Sequence, residues 1–178
     1  MSNLAWGKPR IFVKDLDVET PSWKELNTPV QDSTELQPTK GDKMEAPIEG
    51  GENEEVKFKD STYAVVYNIR KYKGRQVPIA NKNGVASHHY AFCLMPEDGT
   101  NIGFYIESTT VSVDDTFTAN DGAIWAIQHD ALAAKSGNTV KWGTVGVAEG
   151  KLSFSETQPA EGAVAKNFSE DVTVLPAA

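Results

Sequence analysis

Three features of the 178-residue sequence predict an all-β fold. Apolar residues recur mostly with period two, the segments carrying them are bounded by Gly, Pro, Asn and Asp, and helix signals are thin. The clearest run places Tyr63, Val65, Tyr67 and Ile69 on one face, with Thr62, Asn68 and Arg70 on the other, as in a half-buried strand. The architecture expected is a β-barrel or sandwich with one long inter-strand loop and at most one or two short helices.

Taken in order, Ile11 to Leu16 is the first β-rich run. Ser22 and Glu25 then have capping-box spacing in SWKEL, but Pro29 follows, which limits a helix there to one or two turns. TPVQDSTELQPTKGDKMEAPIEGGENEE, residues 28–55, holds three prolines and three glycines, has little apolar content and is longer than compact domains usually leave irregular. Its middle, Thr34 to Ala46, is expected to form an extended arm, with Gly50 and Gly51 supplying the positive φ angles that return the chain to the body. An arm that cannot bury itself in its own subunit is expected to pack on another.

After the Thr62 to Arg70 strand come β-rich runs at His89 to Met95, Asn101 to Glu107, Thr109 to Thr116, Ala123 to Ala131 and Thr139 to Val147. Pro96-Glu97-Asp98-Gly99 and Asn120-Asp121-Gly122 carry the residues of tight reversals, which predicts an antiparallel meander. A hairpin is expected about Ala148-Glu149-Gly150-Lys151, and the chain after Glu156 is expected to be a tail ordered only on docking. Residues 1–141 are thus expected to form the β-domain, with 142–178 a C-terminal hairpin and tail serving as decoration or as an interface arm.

Seventeen Lys and Arg against twenty-five Asp and Glu give a net charge of −8, which argues against binding nucleic acid through overall charge. The imbalance is local. Residues 32–60 hold nine acids and four lysines, whereas Arg70, Lys71, Lys73, Arg75 and Lys82 form a run without an acid among them. The two stretches are either solvated surfaces or two halves of a contact between identical chains. The single Cys93 excludes an internal disulfide, no zinc-ligand spacing is present, and neither a signal-peptide run nor a membrane-span run of apolar residues appears. A soluble protein without an export signal is expected.

A search for catalytic chemistry finds no site. His88 and His89 are adjacent in a strand and face opposite ways, as do Asp114 and Asp115, and His129 stands alone. No nucleophile elbow, phosphate loop, His-Glu-x-x-His or EF-hand loop is present, and Cys93 reads as a small core residue. Trp6, Trp23, Trp125 and Trp142 with the tyrosines offer the material of a sugar-stacking face, although Trp125 alternates with Ile127 as a core residue does. No enzyme activity, cofactor or metal is expected.

The order of WGKPRIFV, the W-x-x-L segment at Trp23, LQPTKGDKMEAPIEGGENEEVKF, STYAVVYNIRKYKGR, YAFCLMPEDG and VSVDDTFTANDGAIWAIQHDAL resembles the major tail tube proteins of long-tailed bacteriophages, in particular those of Bacteroidetes hosts. The resemblance spans about Leu4 to Leu132 and is most specific at T-K-G-x-K-x-E-A and E-G-G-E-N. It implies a barrel or sandwich subunit with a small flanking helix, six subunits per ring and rings stacked into a hollow tube. It also implies a mechanical role in the virion tail, synthesis in the host cytoplasm, tip, terminator and tape-measure proteins as partners, and DNA passing through without specific binding. The tube of a contractile injection particle is the nearest variant, and a β-sandwich binding glycans or host surfaces is the alternative of another class.

The family's long loop reaches the adjacent ring, which here corresponds to Thr34 to Glu52. The assembly interface expected from the loop comprises Thr39, Lys40, Gly41, Asp42, Lys43, Met44, Glu45, Gly50, Gly51, Glu52, Glu54 and Glu55. Arg70, Lys71, Lys73 and Arg75 are its expected basic counter-surface on a neighbouring subunit. Fixed cations would hold DNA through its phosphates, so acids are expected to line the bore, with Glu107, Asp114 and Asp115 as candidates.

Overall fold

A computed structural model describes Leu4 and residues 6–176. Met1 to Asn3, within the N-terminal run read for a signal, and Ala177 and Ala178, the end of the expected tail, lie outside the described residues. Twelve strands are present: β1 (Arg10–Asp15), β2 (Trp23–Glu25), β3 (Glu35–Thr39), β4 (Lys43–Pro47), β5 (Asn53–Phe58), β6 (Thr62–Arg70), β7 (Val85–Met95), β8 (Ile102–Thr118), β9 (Gly122–Ala131), β10 (Val140–Ala148), β11 (Lys151–Glu156) and β12 (Asn167–Thr173). The all-β expectation holds, and no helix occurs among the described residues. The SWKEL segment is strand β2 rather than a helical turn, because Trp23 is needed inside a core and is completely buried there. Nor is there a helix in GRQVPIANKNG, which runs through turns into a bridge between Lys82 and Val85.

Seven strands close on themselves. The order β10-β11-β12-β2-β1-β7-β8 returns to its start because β8 also pairs with β10, joining Phe104 to Trp142 and Gly103 to Gly143. Every neighbouring pair in this barrel is antiparallel except β12 with β2, where Val172 pairs with Trp23. Alternation sends Phe12, Trp23, Cys93, Tyr105, Val145, Leu152, Phe154 and Val172 inward, and these form one core cluster with Phe168 packed against it. Trp23 stacks on Phe168 at 5.6 Å between ring centroids and meets Tyr105 edge-on at 6.0 Å.

Among the described residues no fully buried side-chain polar atom lacks a hydrogen-bond partner. Arg10 grips Glu25 through two hydrogen bonds of 2.9 and 3.0 Å, and Glu25 also accepts from the Leu175 backbone. Lys14 pairs with Glu170, which accepts from the Trp23 indole as well. The buried Lys141 ammonium donates to the Ser136 and Asn138 carbonyls at 2.7 and 3.0 Å, so its desolvation is offset by two backbone acceptors.

The segment 142–178 is built into this barrel. Strand β10 runs across residues 141 and 142, and β11 and β12 supply two of the seven staves, so the described residues after Glu156 include an ordered strand. Phe168 and Val172 are what hold it, through the inner cluster.

The runs 101–107 and 109–116 form one strand, β8. Tyr90 pairs with Thr109 and Phe92 with Ile106, so Glu107 and Ser108 together oppose Ala91. This extra residue resets the alternation, and Phe104, Ile106, Val111 and Val113 all enter a second cluster on the outside of the barrel. Beyond the bulge β8 leaves the barrel and pairs with β9, which carries β6 and then β3. The second cluster lies between the barrel wall (Ile11, Val13, Phe92, Val140) and the inner face of this second sheet (Val65, Tyr67, Ile69, Ile127).

Candidate assembly interface

Residues 28–55 are only partly irregular. Glu35 to Thr39 form the edge strand β3 on β6, where Pro38 is tolerated because only one side of the strand is paired. Lys43 to Phe58 form the β4–β5 hairpin, a separate two-stranded sheet. Gly50 and Gly51 have φ of 96° and 86° and turn its tip, so their place is at the far end of the arm rather than where it rejoins the body. A tight crossing forms its root: a Cβ on Gly41 would lie 2.0 Å from the Lys59 carbonyl oxygen.

Every residue of β4 and β5 is exposed, including Met44, Val56 and Phe58. An isolated two-stranded hairpin is marginal in water, and this one presents apolar side chains on both faces with no covering element among the described residues. Its charges are partly spent within the arm: Lys43 pairs with Glu45, Lys57 with Glu55 at 4.0 Å, and Lys59 with Asp42 at 3.8 Å. The Lys43 hydrogen bond holds the Glu45 carboxyl below its usual range. Lys40 sits over the Phe58 ring at 4.6 Å, and the Glu49, Glu52 and Glu54 side chains have no ion-pair partner among the described residues.

The basic run divides. Lys71 is paired with Asp115 and lies over Trp125, so it is committed within the subunit. Arg70 donates to the Asp121 carbonyl and Arg75 to the Arg70 carbonyl, contacts that fix the guanidinium groups without neutralising them. Arg75 also stacks on Tyr72 at 4.3 Å. Lys73 is exposed in the turn after β6.

A third surface is the outer face of β3-β6-β9-β8. Register places Asn68, Ala126 and Asp114 in one row, Glu35, Val66, Gln128 and Ser112 in the next, and Gln37, Ala64, Asp130 and Thr110 beyond. This face is small and polar, and its charges at Glu35, Asp114 and Asp130 are acidic, with Arg70 at one end. Of the three acids expected on a bore, Asp114 lies here, Asp115 lies on the opposite face beside Trp125, and Glu107 lies at the β8 bulge, where it accepts from the Lys135 backbone. Glu35 and Asp130 also lie on this face, and the period-two parity of their own strands, counted from the inward Leu36 and Ile127, is the sequence signal that finds them. The sheet has two open edges: β3, and the end of β8 beyond Val113, where β7 has turned away through the bridge between Lys82 and Val85.

The histidines serve structure. His88 meets Asp15 at 2.7 Å and His89 meets Asp17 at 3.2 Å, fastening the β1–β2 connection to β7. His129 is fully buried against Tyr67, Phe92 and Thr109. Cys93 is buried in the barrel, which pushes its thiol pKa up. Trp23 and Trp125 are buried, Trp142 packs on Phe104, and Trp6 is 69% exposed, so the tryptophans do not share one sugar-stacking face. Among the described residues no group of three His, Cys, Asp or Glu is placed to hold a metal ion, and no helix is long and apolar enough to cross a membrane. No protein-family model matches the chain, and no curated protein matches it.

Proposed function

We propose that this chain is the structural subunit of a phage tail tube, assembling as homohexameric rings stacked around a hollow bore that conducts DNA. The observation that carries the reading is the β4–β5 arm, an exposed hairpin whose apolar residues have no cover among the described residues of their own subunit. Such an arm gains stability by docking on another copy. Two further features support the reading. The second sheet has two unlike open edges, which a ring of heterologous contacts would pair and so remove. Its outer face is small, polar and acidic, which suits a wall past which DNA slides without adhering. Tip, terminator and tape-measure proteins are the partners such a tube requires.

Amide hydrogen exchange tests the arm's role. In free subunits residues 43–58 are expected to exchange as a weakly protected unit, because the hairpin opens locally at small cost. On assembly their protection is expected to rise by roughly a hundredfold or more, matching burial worth about 3 kcal/mol. Equal protection in the free and assembled states contradicts the reading.

A further inference from the structure

Resting on the tube reading, we infer that the acidic tip of the arm seats in a cationic groove at the opposite end of a second copy. The groove, of about 790 Å³, is lined by Lys8, Arg10, Glu25, Arg70, Tyr72 and Arg75, among others. Arg10 is neutralised by Glu25. Lys8, Arg70 and Arg75 have no carboxylate partner among the described residues, so three positive charges converge on the groove of a chain whose net charge is −8. Arg70 and Arg75 are held in place by carbonyl contacts and by the Tyr72 ring, so little side-chain freedom remains to be lost on binding a carboxylate.

The arm carries the complement. Glu49, Glu52 and Glu54 project about the Gly50-Gly51 turn without a cation of their own, three charges against three. The two features lie at opposite ends of β6. The arm is rooted beside Thr62, where Thr39 pairs with it, and the groove begins at Arg70, about 27 Å along the strand at about 3.4 Å per residue. An arm projecting from one end therefore meets the groove of another molecule, head to tail. A contact of that polarity is heterologous, and repeated without closing it propagates a stack, whereas the open sheet edges act sideways within a ring.

Disulfide trapping between two variants tests this assignment. A Glu52→Cys subunit and a Tyr72→Cys subunit are mixed at high concentration and oxidised; the native thiol at Cys93 is buried and gives no background. Mixed dimers are expected to exceed either homodimer by roughly tenfold, and the excess is expected to fall steeply at about 0.5 M salt. Adding Arg70→Glu and Arg75→Glu to the groove subunit should remove the excess, and adding Glu49→Lys and Glu54→Lys to the tip subunit should restore it. Mixed dimers in no excess, or an excess indifferent to these reversals, overturns the assignment. Electron microscopy of the same samples separates the two ideas. Tubes without the mixed disulfide overturn the groove and leave the tube reading intact; the mixed disulfide without tubes supports the groove and counts against the tube.

Discussion

Gly143→Ala is expected to destabilise the fold by about 3 kcal/mol, at the severe end for an added methyl group. Gly143 lies where β10 is squeezed between β8 and β11, opposite Gly103 on one side and Glu156 on the other. A Cβ there would sit 2.1 Å from the Ser155 carbonyl oxygen and 2.8 Å from the Glu156 Cα, both backbone atoms that no rotamer change moves aside. Gly103 is equally tight, with the Leu94 carbonyl oxygen 2.3 Å from its virtual Cβ. The paired glycines are what lets β8 meet β10 and close the barrel. Gly146→Ala in the same strand is the control: its Cβ meets only the Ser153 hydroxyl at 3.2 Å, and the change is expected to stay within about 0.5 kcal/mol. Urea unfolding checks both, the Gly143→Ala midpoint falling with the m value unchanged.

Acidification from pH 7 to pH 5 is expected to cost about 2 kcal/mol through His129 alone. The Thr109 hydroxyl donates to the Tyr90 carbonyl at 2.8 Å, so at 2.9 Å it accepts from His129 Nδ1–H; Nε2 then accepts from the Tyr67 hydroxyl at 2.8 Å. Every polar atom in this buried triad is used by the neutral ring, and desolvation pushes the His129 pKa down to about 3 from 6.5. The unfolded chain therefore binds a proton below pH 6.5 that the folded chain refuses. Stability from this group is full above that pH and declines as pH falls towards 3, by about 1.4 kcal/mol per unit once well below 6.5.

His88 acts in the opposite sense, since Asp15 raises its pKa, but it lies at the surface where solvent screens the effect. The carboxyls held low by partners, Glu25 among them, lose their contribution only once pH falls below their unfolded range near 4 to 5. Between pH 5 and 7 the slope therefore belongs to His129. His129→Leu should flatten it, at a fixed cost of about 1 to 3 kcal/mol for the Tyr67 hydroxyl left without an acceptor. A wild-type unfolding free energy unchanged between pH 7 and 5 would contradict the buried neutral ring.

Where one face of a strand is buried, the sequence is legible. Tyr63 to Ile69 alternates because its odd residues meet the barrel wall, and Asn120-Asp121-Gly122 turns where a hairpin requires it, with φ of 78° at Gly122. The hairpin about Glu149 and Gly150 was equally plain, both residues having positive φ. Strands β4 and β5 were not legible because they bury neither face, and a periodic pattern arises only where one side of a strand must avoid water. Strand β12 does carry the pattern, with Phe168 and Val172 inward and Glu170 between them at the Lys14 and Trp23 end. Its parallel partner β2 lies nearly 150 residues away, so nothing local marks it as part of a barrel.

The candidate surfaces divide in the same way. The charge runs located the arm and the basic stretch, but whether a cation is spent is decided by tertiary structure: Lys71 finds Asp115 across the second sheet, whereas Arg70 finds a carbonyl and Arg75 a carbonyl and the Tyr72 ring. The parity of Asp114 and Asp115 was readable as one in and one out. Which of them faces outward depends on the extra residue at Glu107 and Ser108, which resets the alternation of β8 and leaves no mark in the composition.

Assembly itself is the most direct measurement. The protein concentrated to the millimolar range should give, by negative-stain electron microscopy with light-scattering mass on the same sample, rings or hollow tubes of stacked hexamers, each ring six times the 19.4 kDa subunit. A particle that remains a monomer at that concentration, also when seeded with a tail tip, would contradict the account.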